Sequence, residues 1–234
     1  FSQPVGKLEE GIQVVRRLWE ADGPINFEGR YFNLENAVLG LRPYGQEPPP
    51  IWTAHGPRML NITGRLADGW LPTKLDPETY RGSLEQISES ARSVGRDFDR
   101  FTPGILAYVL LAPDRKTLVR LQQQPLVRAL MVMLPEQIYK RLGLEPPSAG
   151  FHGVIPAATE REEALQIIDK IPPEVVDYYC FCGTPEEIAD QVVDYHNVGL
   201  RHLILWNITA FGDPDLAGWS FKAMREIHDY LKDR

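Results

Sequence analysis

The sequence predicts an α/β fold in which parallel strands alternate with helices. Short apolar runs begin near residues 51, 70, 105 and 203, and helical segments separate them. That alternation is typical of strand-helix-strand units and not of a β-sandwich. Four such units make half of a TIM (β/α)8 barrel, which has eight strands and about 250 residues.

The first elements are an amphipathic helix over residues 8–19 and a hairpin over residues 25–34. Five apolar side chains fall on one helix face: Leu8, Ile12, Val15, Leu18 and Trp19. Gly23-Pro24 ends the helix. The hairpin is predicted to turn at Glu28-Gly29, with Phe27, Tyr31 and Phe32 as β-forming aromatic residues.

The stretch from Pro48 to Trp70 combines a strand, a turn, a helix and the start of the next strand. Ile51 to Ala54 is a short apolar run typical of a buried strand. Gly56 allows a positive φ, and Pro57 suits the first position of a helix because its missing N–H costs nothing there. The helix that follows has apolar spacing at Met59, Leu60, Thr63 and Leu66. Ala67-Asp68-Gly69 then leads into the next strand.

A helix that begins directly after a strand presents free N–H groups and a partial positive charge, which suits a phosphate or a carboxylate. Arg58 adds a full positive charge there. A single glycine turn is also common as a plain connection, so both interpretations stay open.

Cap signals place the remaining elements. Asp76 and Pro77 predict a helix from about residue 77 to 94, which leaves Thr73 and Lys74 in a loop after a strand. The later elements are a strand over residues 105–111, a helical stretch over 114–141, a loop over 143–154, a helix over 160–169, a helix to about 198 opened by a capping box at Thr184, a strand over 203–206 and a last helix over 216–231.

Composition excludes several classes of protein. The net charge of −7 argues against a general nucleic-acid binder. No apolar run approaches the roughly 18 residues of a membrane span. Cys180 and Cys182 lack further ligands of the kind that zinc sites need, so we expect a buried, reduced pair, no metal and a cytoplasmic protein.

Several stretches, in order, resemble the bacterial-luciferase-like flavin and deazaflavin oxidoreductases. These are KLEEGIQVVRRLWEADGPINFEGRYFNL, PPIWTAHGPRML with ADGW, and GTPEEIADQVVDYHNVGLRHLIL. FHGVIP and the pattern up to CFCGTPEE look closest to the F420-dependent branch, especially the mycobacterial phthiodiolone ketoreductase type. The resemblance implies a luciferase-like TIM barrel of which this chain covers strands five to eight, as a single domain that lacks its N-terminal strands.

The resemblance also implies a cofactor site. Coenzyme F420, or FMN as the alternative, would bind at Ala54, His55, Gly56, Pro57, Arg58, Thr73 and Lys74. His55 could be an acid or base, although a cofactor-lining role is preferred. The family's other reacting groups come mainly from the first four strands and have no counterpart here. Lys74 alone could equally be a solvated loop lysine.

The function that follows is F420-dependent hydride transfer between the deazaflavin and a carbonyl or alcohol carbon of a small or lipid-like substrate. The alternatives are an FMN-dependent monooxygenase and a non-catalytic flavin-binding fragment. Residues 143–177 are expected to form a lid-like insertion, and Phe151, His152 and Asn207 are candidates for the substrate side. We expect a homo-oligomer when the chain is complete.

Overall fold

The computed structural model describes residues 3–54, 56–132, 134, 136–147 and 160–232. The strands are β1 (Ile25–Glu28), β2 (Asn33–Ala37), β3 (Trp52–Thr53), β4 (Gly69–Trp70), β5 (Thr102–Leu111), β6 (Phe181–Gly183) and β7 (His202–Asn207). The helices are α1 (Pro4–Glu20), α2 (Pro57–Leu66), α3 (Pro77–Ser93), α4 (Arg115–Gln122), α5 (Pro125–Ala129), α6 (Glu136–Arg141), α7 (Arg161–Asp169), α8 (Pro173–Tyr179), α9 (Pro185–Asn197), α10 (Thr209–Gly212) and α11 (Ala217–Lys232). Within the described ranges, no helix is both long enough and apolar enough to cross a membrane.

The chain divides into two compact units. Unit 1 comprises Phe1–Thr73, Glu78–Ile105 and Gly199–His202, and unit 2 comprises Lys74–Pro77, Leu106–Val198 and Leu203–Arg234. Strand β5 contributes its first residues to unit 1 and its last residues to unit 2.

Strands β3, β4 and β5 pair in parallel, as the sequence predicts. In unit 1, Trp52 of β3 lies opposite Gly69 of β4, and Gly69 lies opposite Thr102 of β5. In unit 2, β7 pairs with β5. Strand β6 also pairs with β5, and the sequence analysis missed it because three residues between two helices are too short for a periodic signal.

Helix α2 packs through a hydroxyl pair and a glycine. The Thr63 hydroxyl lies 2.6 Å from the Thr53 hydroxyl of β3, and it donates to the Met59 carbonyl. At the next residue, a Cβ on Gly64 would lie 2.2 Å from the Ile87 carbonyl oxygen of α3. Glycine at this position therefore permits the close approach of α2 and α3.

The β1-β2 hairpin differs from its prediction. Strand β2 begins at Asn33, so Tyr31 and Phe32 lie in the turn and not in the strand. The reason is Glu10 of α1, whose carboxylate accepts the backbone N–H groups of Arg30, Tyr31 and Phe32 at 2.7–3.2 Å. Those N–H groups are therefore unavailable to a β-ladder.

The helical stretch predicted over residues 114–141 is interrupted. Helix α4 ends at Gln122, and α5 begins at Pro125. Proline has no N–H to donate to the preceding turn, so it starts a helix and does not continue one. The predicted capping box at the start of α9 is confirmed, because Thr184 and Glu187 each accept the other's backbone N–H.

Unit 2 has an apolar core in which helices α4 to α8 pack around the end of β5 and β6. Ile171, Val175 and Val176 are completely buried in it, so the described C-terminal part of the predicted 143–177 insertion is packed structure. Cys180 and Cys182 are buried there without a disulfide, as predicted. A hydrogen bond with Cys180 and burial hold the pKa of Cys182 well above its usual value, which keeps this thiol protonated.

Candidate functional site

The turn between β3 and α2 has the backbone that the sequence analysis expects of an anion site. Gly56 is the N-cap of α2 at φ +118°, a conformation that side-chain-bearing residues rarely adopt. Among the described residues, a Cβ at Gly56 would come within 4 Å of the Met59 side chain alone, at 3.6 Å or more. Gly56 offers no side-chain cap, and Arg58 is exposed in the first turn. The positive end of α2 is therefore accessible to a small anion.

The other residues of the predicted cofactor site differ in their exposure. Ala54 is exposed, and its carbonyl accepts the indole N–H of Trp70 at 3.2 Å. Thr73 is half-buried in unit 1. His55 lies outside the described residues, as do Phe151 and His152, so their predicted roles stay predictions.

Lys74 is almost completely buried in unit 2, with 8% of its surface exposed. Its ammonium group donates to the carbonyls of Asp177, Tyr178 and Cys180 at 3.3, 3.0 and 2.8 Å. An ammonium has three donors, and all three have carbonyl acceptors at the end of α8. Burial lowers the pKa of Lys74, and the nearby Cys182, Cys180 and Asp177 oppose that shift. This geometry supports a helix-capping role, and the predicted contact with a phosphate stays untested.

Asn207 and Trp206 occupy opposite faces of β7, because successive side chains of a strand alternate. The Asn207 amide donates to Ser220 of α11 at 2.9 Å and accepts the Thr209 N–H at 3.0 Å. Its polar atoms therefore hold α11 and α10 in place, and the predicted substrate role finds no support in this geometry.

Trp206 is the residue at this strand end that the sequence analysis missed. The residue is 53% exposed, and its ring centroid lies 5.6 Å from that of Tyr108 on β5. The strict alternation of β7 could have pointed to it, since Ile204 and Trp206 share one face. Burial raises the pKa of Tyr108 further above its ordinary value.

Two surface cavities of unit 1 lie away from the predicted cofactor residues. One, of about 470 Å³, is lined by Trp19, Glu20, Asp22, Arg42, Pro43 and Pro48. The other, of about 680 Å³, is formed by the β1-β2 hairpin. Among the described residues, no cluster of His, Cys, Asp or Glu has the arrangement of a metal site.

Comparison with known proteins identifies the family. The family model described as luciferase-like monooxygenase matches residues 1–202. The chain belongs to this family. The resemblance predicted from the motifs is thus confirmed, and with it a luciferase-like α/β fold with a parallel sheet.

Among its relatives, this family member is 35% identical over 214 residues to a phthiodiolone/phenolphthiodiolone dimycocerosates ketoreductase of Mycobacterium tuberculosis. The match covers 88% of this chain and 56% of that protein. The chain therefore spans little more than half the length of the curated relatives that it matches.

Solved structures show the same fold. An F420-dependent secondary alcohol dehydrogenase in complex with an F420-acetone adduct matches with a TM-score of 0.65 at 20% identity, over 93% of this chain and 60% of that one. The FMN-bound oxygenating constituent of 3,6-diketocamphane monooxygenase from Pseudomonas putida matches with a TM-score of 0.59 at 19% identity, over 95% and 60%.

Proposed function

We propose that this protein is an F420-dependent oxidoreductase that transfers a hydride between the deazaflavin and a carbonyl or alcohol carbon. The observation that carries the proposal is its 35% identity, over 88% of the chain, with a ketoreductase in a family to which the chain belongs. The luciferase-like neighbour that holds an F420-acetone adduct adds support at the level of the fold.

The residues of the β3-α2 turn fit the phosphate of such a cofactor. Pro57 starts α2 without an N–H, so the Arg58 backbone N–H is the first that the helix could offer to the phosphate. The Met59 and Leu60 N–H groups donate to the Gly56 carbonyl at 2.8 and 3.1 Å, which fixes the turn. Arg58 would add a charge-assisted contact to the anion.

When bound, the cofactor supplies the two-electron hydride chemistry, and the protein supplies binding and orientation. In the reducing direction the carbonyl carbon gains the hydride and the oxygen gains a proton. The residues of the β3-α2 turn would hold the phosphate end of the cofactor. The acid that delivers the proton is not among the residues assigned here.

We further propose that β3, β4, β5 and β7 are strands five to eight of the barrel. Their parallel pairing in chain order supports this assignment, as does a match that covers about 60% of the structural neighbours. The reacting groups of such a barrel collect at the carboxyl ends of its strands, where Gly56 and Trp206 lie in this chain.

FMN-dependent oxygenation is the second candidate function. It is favoured by the FMN-bound monooxygenase among the structural neighbours, which has a similar coverage. Both cofactors carry a phosphate that the β3-α2 turn could hold, so this turn does not discriminate between them. A flavin-binding chain without catalytic activity is the third candidate, because the acid or base is unassigned.

Titration of the protein with F420 and with FMN, followed by cofactor fluorescence, tests the proposal. We expect F420 to bind more tightly than FMN, and Arg58→Gln to weaken that binding about threefold to tenfold through the lost charge-assisted contact. Arg81→Gln is the matched control, because Arg81 is exposed on α3 and the substitution removes the same charge.

Gly56→Val is a poor test variant, because φ +118° would strain the backbone of a β-branched residue whatever the ligand does. Equal affinity of the wild type and Arg58→Gln for F420 would remove the turn as the phosphate site. Tighter binding of FMN than of F420 would favour the second candidate function.

A further inference from the structure

One surface of unit 2 differs in charge from the rest of the chain. The protein has a net charge of −7, but its sequence from Arg115 to Val132 contains four basic residues and no acidic one. The outer side of α4 and the start of α5 expose three cations and two aliphatic side chains. These five residues are called the basic face below: Arg115, Lys116, Val119, Arg120 and Leu126.

The basic face is held in place by the packing of α4 and α5. Helix α4 is amphipathic, and its opposite side buries Leu118 and Leu121 in the core of unit 2. The Gln124 side-chain amide donates to the Arg120 carbonyl at 3.2 Å, which keeps the start of α5 beside the end of α4. Leu126 is 63% exposed there. The face therefore combines positive charge with exposed hydrocarbon.

The exposure of the basic face does not depend on the strands that would complete a barrel. Helix α4 follows β5, and the end of β5 is hydrogen-bonded along both edges. The Ala112 N–H donates to the Gly183 carbonyl at 3.0 Å, and the Val109 carbonyl accepts the Ile208 N–H at 3.0 Å on the opposite edge. Further strands can add only at a free edge of a sheet, so none can add beside this part of β5.

Two of the cations oppose the stability of their own helix. Arg115 and Lys116 are the first two residues after the N-cap Asp114, whose carboxylate accepts the Thr117 N–H at 2.7 Å. Positive charge in the first turn is unfavourable, because the helix dipole already places partial positive charge there. No described carboxylate forms an ion pair with either side chain. Formation of α4 thus gives no reason for these two charges, which are available to a ligand.

The chemistry of the basic face favours an anionic lipid surface. Arg120 is paired with Asp213 at 2.6 Å, so Arg115 and Lys116 carry the unpaired charge. A second copy of the chain would bring like charges together in a symmetric contact, which is unfavourable. An anionic bilayer offers phosphate groups to the two cations and, just beneath them, hydrocarbon to Leu126.

We propose that the basic face binds anionic lipid headgroups at a membrane surface, with Leu126 entering the boundary of the acyl chains. This inference goes beyond the proposed function, because it assigns a surface outside the cofactor site and does not require F420 or FMN.

Flotation of the 234-residue protein with lipid vesicles, without cofactor, tests the inference. The vesicles contain equal parts of phosphatidylglycerol and phosphatidylcholine, or phosphatidylcholine alone. We expect binding to the anionic vesicles to be at least about tenfold tighter, although the net charge of the protein is −7. Raising NaCl from about 0.1 M to about 0.5 M should weaken it, because salt screens exposed charges.

The variant Arg115→Gln/Lys116→Gln removes both unpaired charges, and we expect it to bind the anionic vesicles about tenfold to thirtyfold more weakly. Lys222→Gln/Arg225→Gln is the matched control, because both residues are exposed on α11 and the net charge changes equally. Leu126→Ser should weaken binding about threefold at either salt concentration, since it removes apolar contact. Circular dichroism checks that each variant is folded.

Equal binding to neutral and anionic vesicles would overturn the inference, since any exposed apolar surface could cause it. Absence of binding to both kinds of vesicle would also overturn it, as would an equal loss in the two double variants.

Two soluble polyanions test the other classes of partner. If the wild type binds poly-glutamate or double-stranded DNA but not the anionic vesicles, and Arg115→Gln/Lys116→Gln abolishes that binding, the basic face recognises an acidic protein or a nucleic acid and the inference is wrong. F420 titration of the same sample tests the proposed function separately, so either can fail without the other.

Discussion

Asp68 in unit 1 lies just before the amino end of β4, and Trp206 in unit 2 lies near the carboxyl end of β7. The Asp68 carboxylate is held by hydrogen bonds, whereas Trp206 is about half exposed. Asp68 precedes β4, and its carboxylate accepts from Arg16 at 2.7 Å, from Arg96 at 3.2 Å and from the Ile51 N–H at 2.9 Å. Trp206 is near the end of β7 and is about half exposed. The amino end of β4 is thus held by hydrogen bonds to a charged group, whereas the end of β7 leaves an aromatic side chain about half exposed.

The Asp68 cluster extends beyond the two ion pairs. Arg16 also donates to the Leu66 carbonyl at 2.8 Å, and Arg96 donates to the Gly64 and Ala67 carbonyls at 3.0 and 2.7 Å. Both arginines thereby bind the end of α2, where carbonyls lack partners within the helix. The two ion pairs are about 70% buried, so they are less screened than ordinary surface pairs.

The largest effect is expected when the Asp68 cluster is broken. Asp68→Ala removes three hydrogen bonds to a charged group and leaves two arginines facing each other, so we expect a loss of about 3 kcal/mol in the free energy of unfolding. Urea denaturation measures it. Asp99→Ala, at an exposed position, is the control. A loss no larger than that of the control would show that the cluster does not stabilise unit 1.

A smaller effect is expected from Lys74, the buried cation of unit 2. Lys74→Met keeps the apolar stem and removes three hydrogen bonds to carbonyls, which should cost about 2 kcal/mol of stability. Lys116→Met, at an exposed position of α4, is the control.

The Lys74→Met variant also distinguishes a helix-capping role of Lys74 from a cofactor-binding role. If Lys74 only caps α8, then the folded Lys74→Met protein binds F420 with the affinity of the wild type. Weaker F420 binding at unchanged stability would instead return Lys74 to the cofactor site.

The smallest effect is expected at Glu10, and it depends on pH. Burial raises the pKa of Glu10, but the N–H groups of Phe32, Tyr31 and Arg30 outweigh it and hold the pKa below its ordinary 4.5. The Glu10 carboxylate therefore binds a proton more readily in the unfolded state than in the folded state. The stability that the Glu10 contact contributes is fully present above pH 4.5 and is lost as the pH falls through the lowered pKa of the folded state.

We therefore expect Glu10→Gln to have a lower Tm than the wild type at pH 7 and a smaller deficit near pH 3. Thermal unfolding across that range measures the difference, with Glu20→Gln as the control at an exposed position of the same helix. A deficit that does not change with pH would show that the charge of Glu10 contributes nothing to the hairpin contact.

Much of the fold could be predicted from local signals. The capping box at Thr184 and the Pro77 helix start are determined by neighbouring residues, and both elements begin where the sequence places them. The two largest errors, the hairpin turn and the interrupted helix after Asp114, have different causes. The hairpin turn depends on Glu10, which is 20 or more residues away in the sequence. The interruption of the helix is signalled locally by Pro125, but the prediction followed the long apolar pattern instead.

The sequence by itself determined the family, the alternation of strands and helices and the open turn at Gly56, because motifs, periodicity and glycine geometry are properties of short stretches. Only the tertiary structure decided that Lys74 caps α8, that Asn207 holds α11 and that Trp206 is exposed. A side chain's role depends on which face of its strand or loop it occupies and on what lies opposite. Those partners come from segments that the chain brings together only on folding.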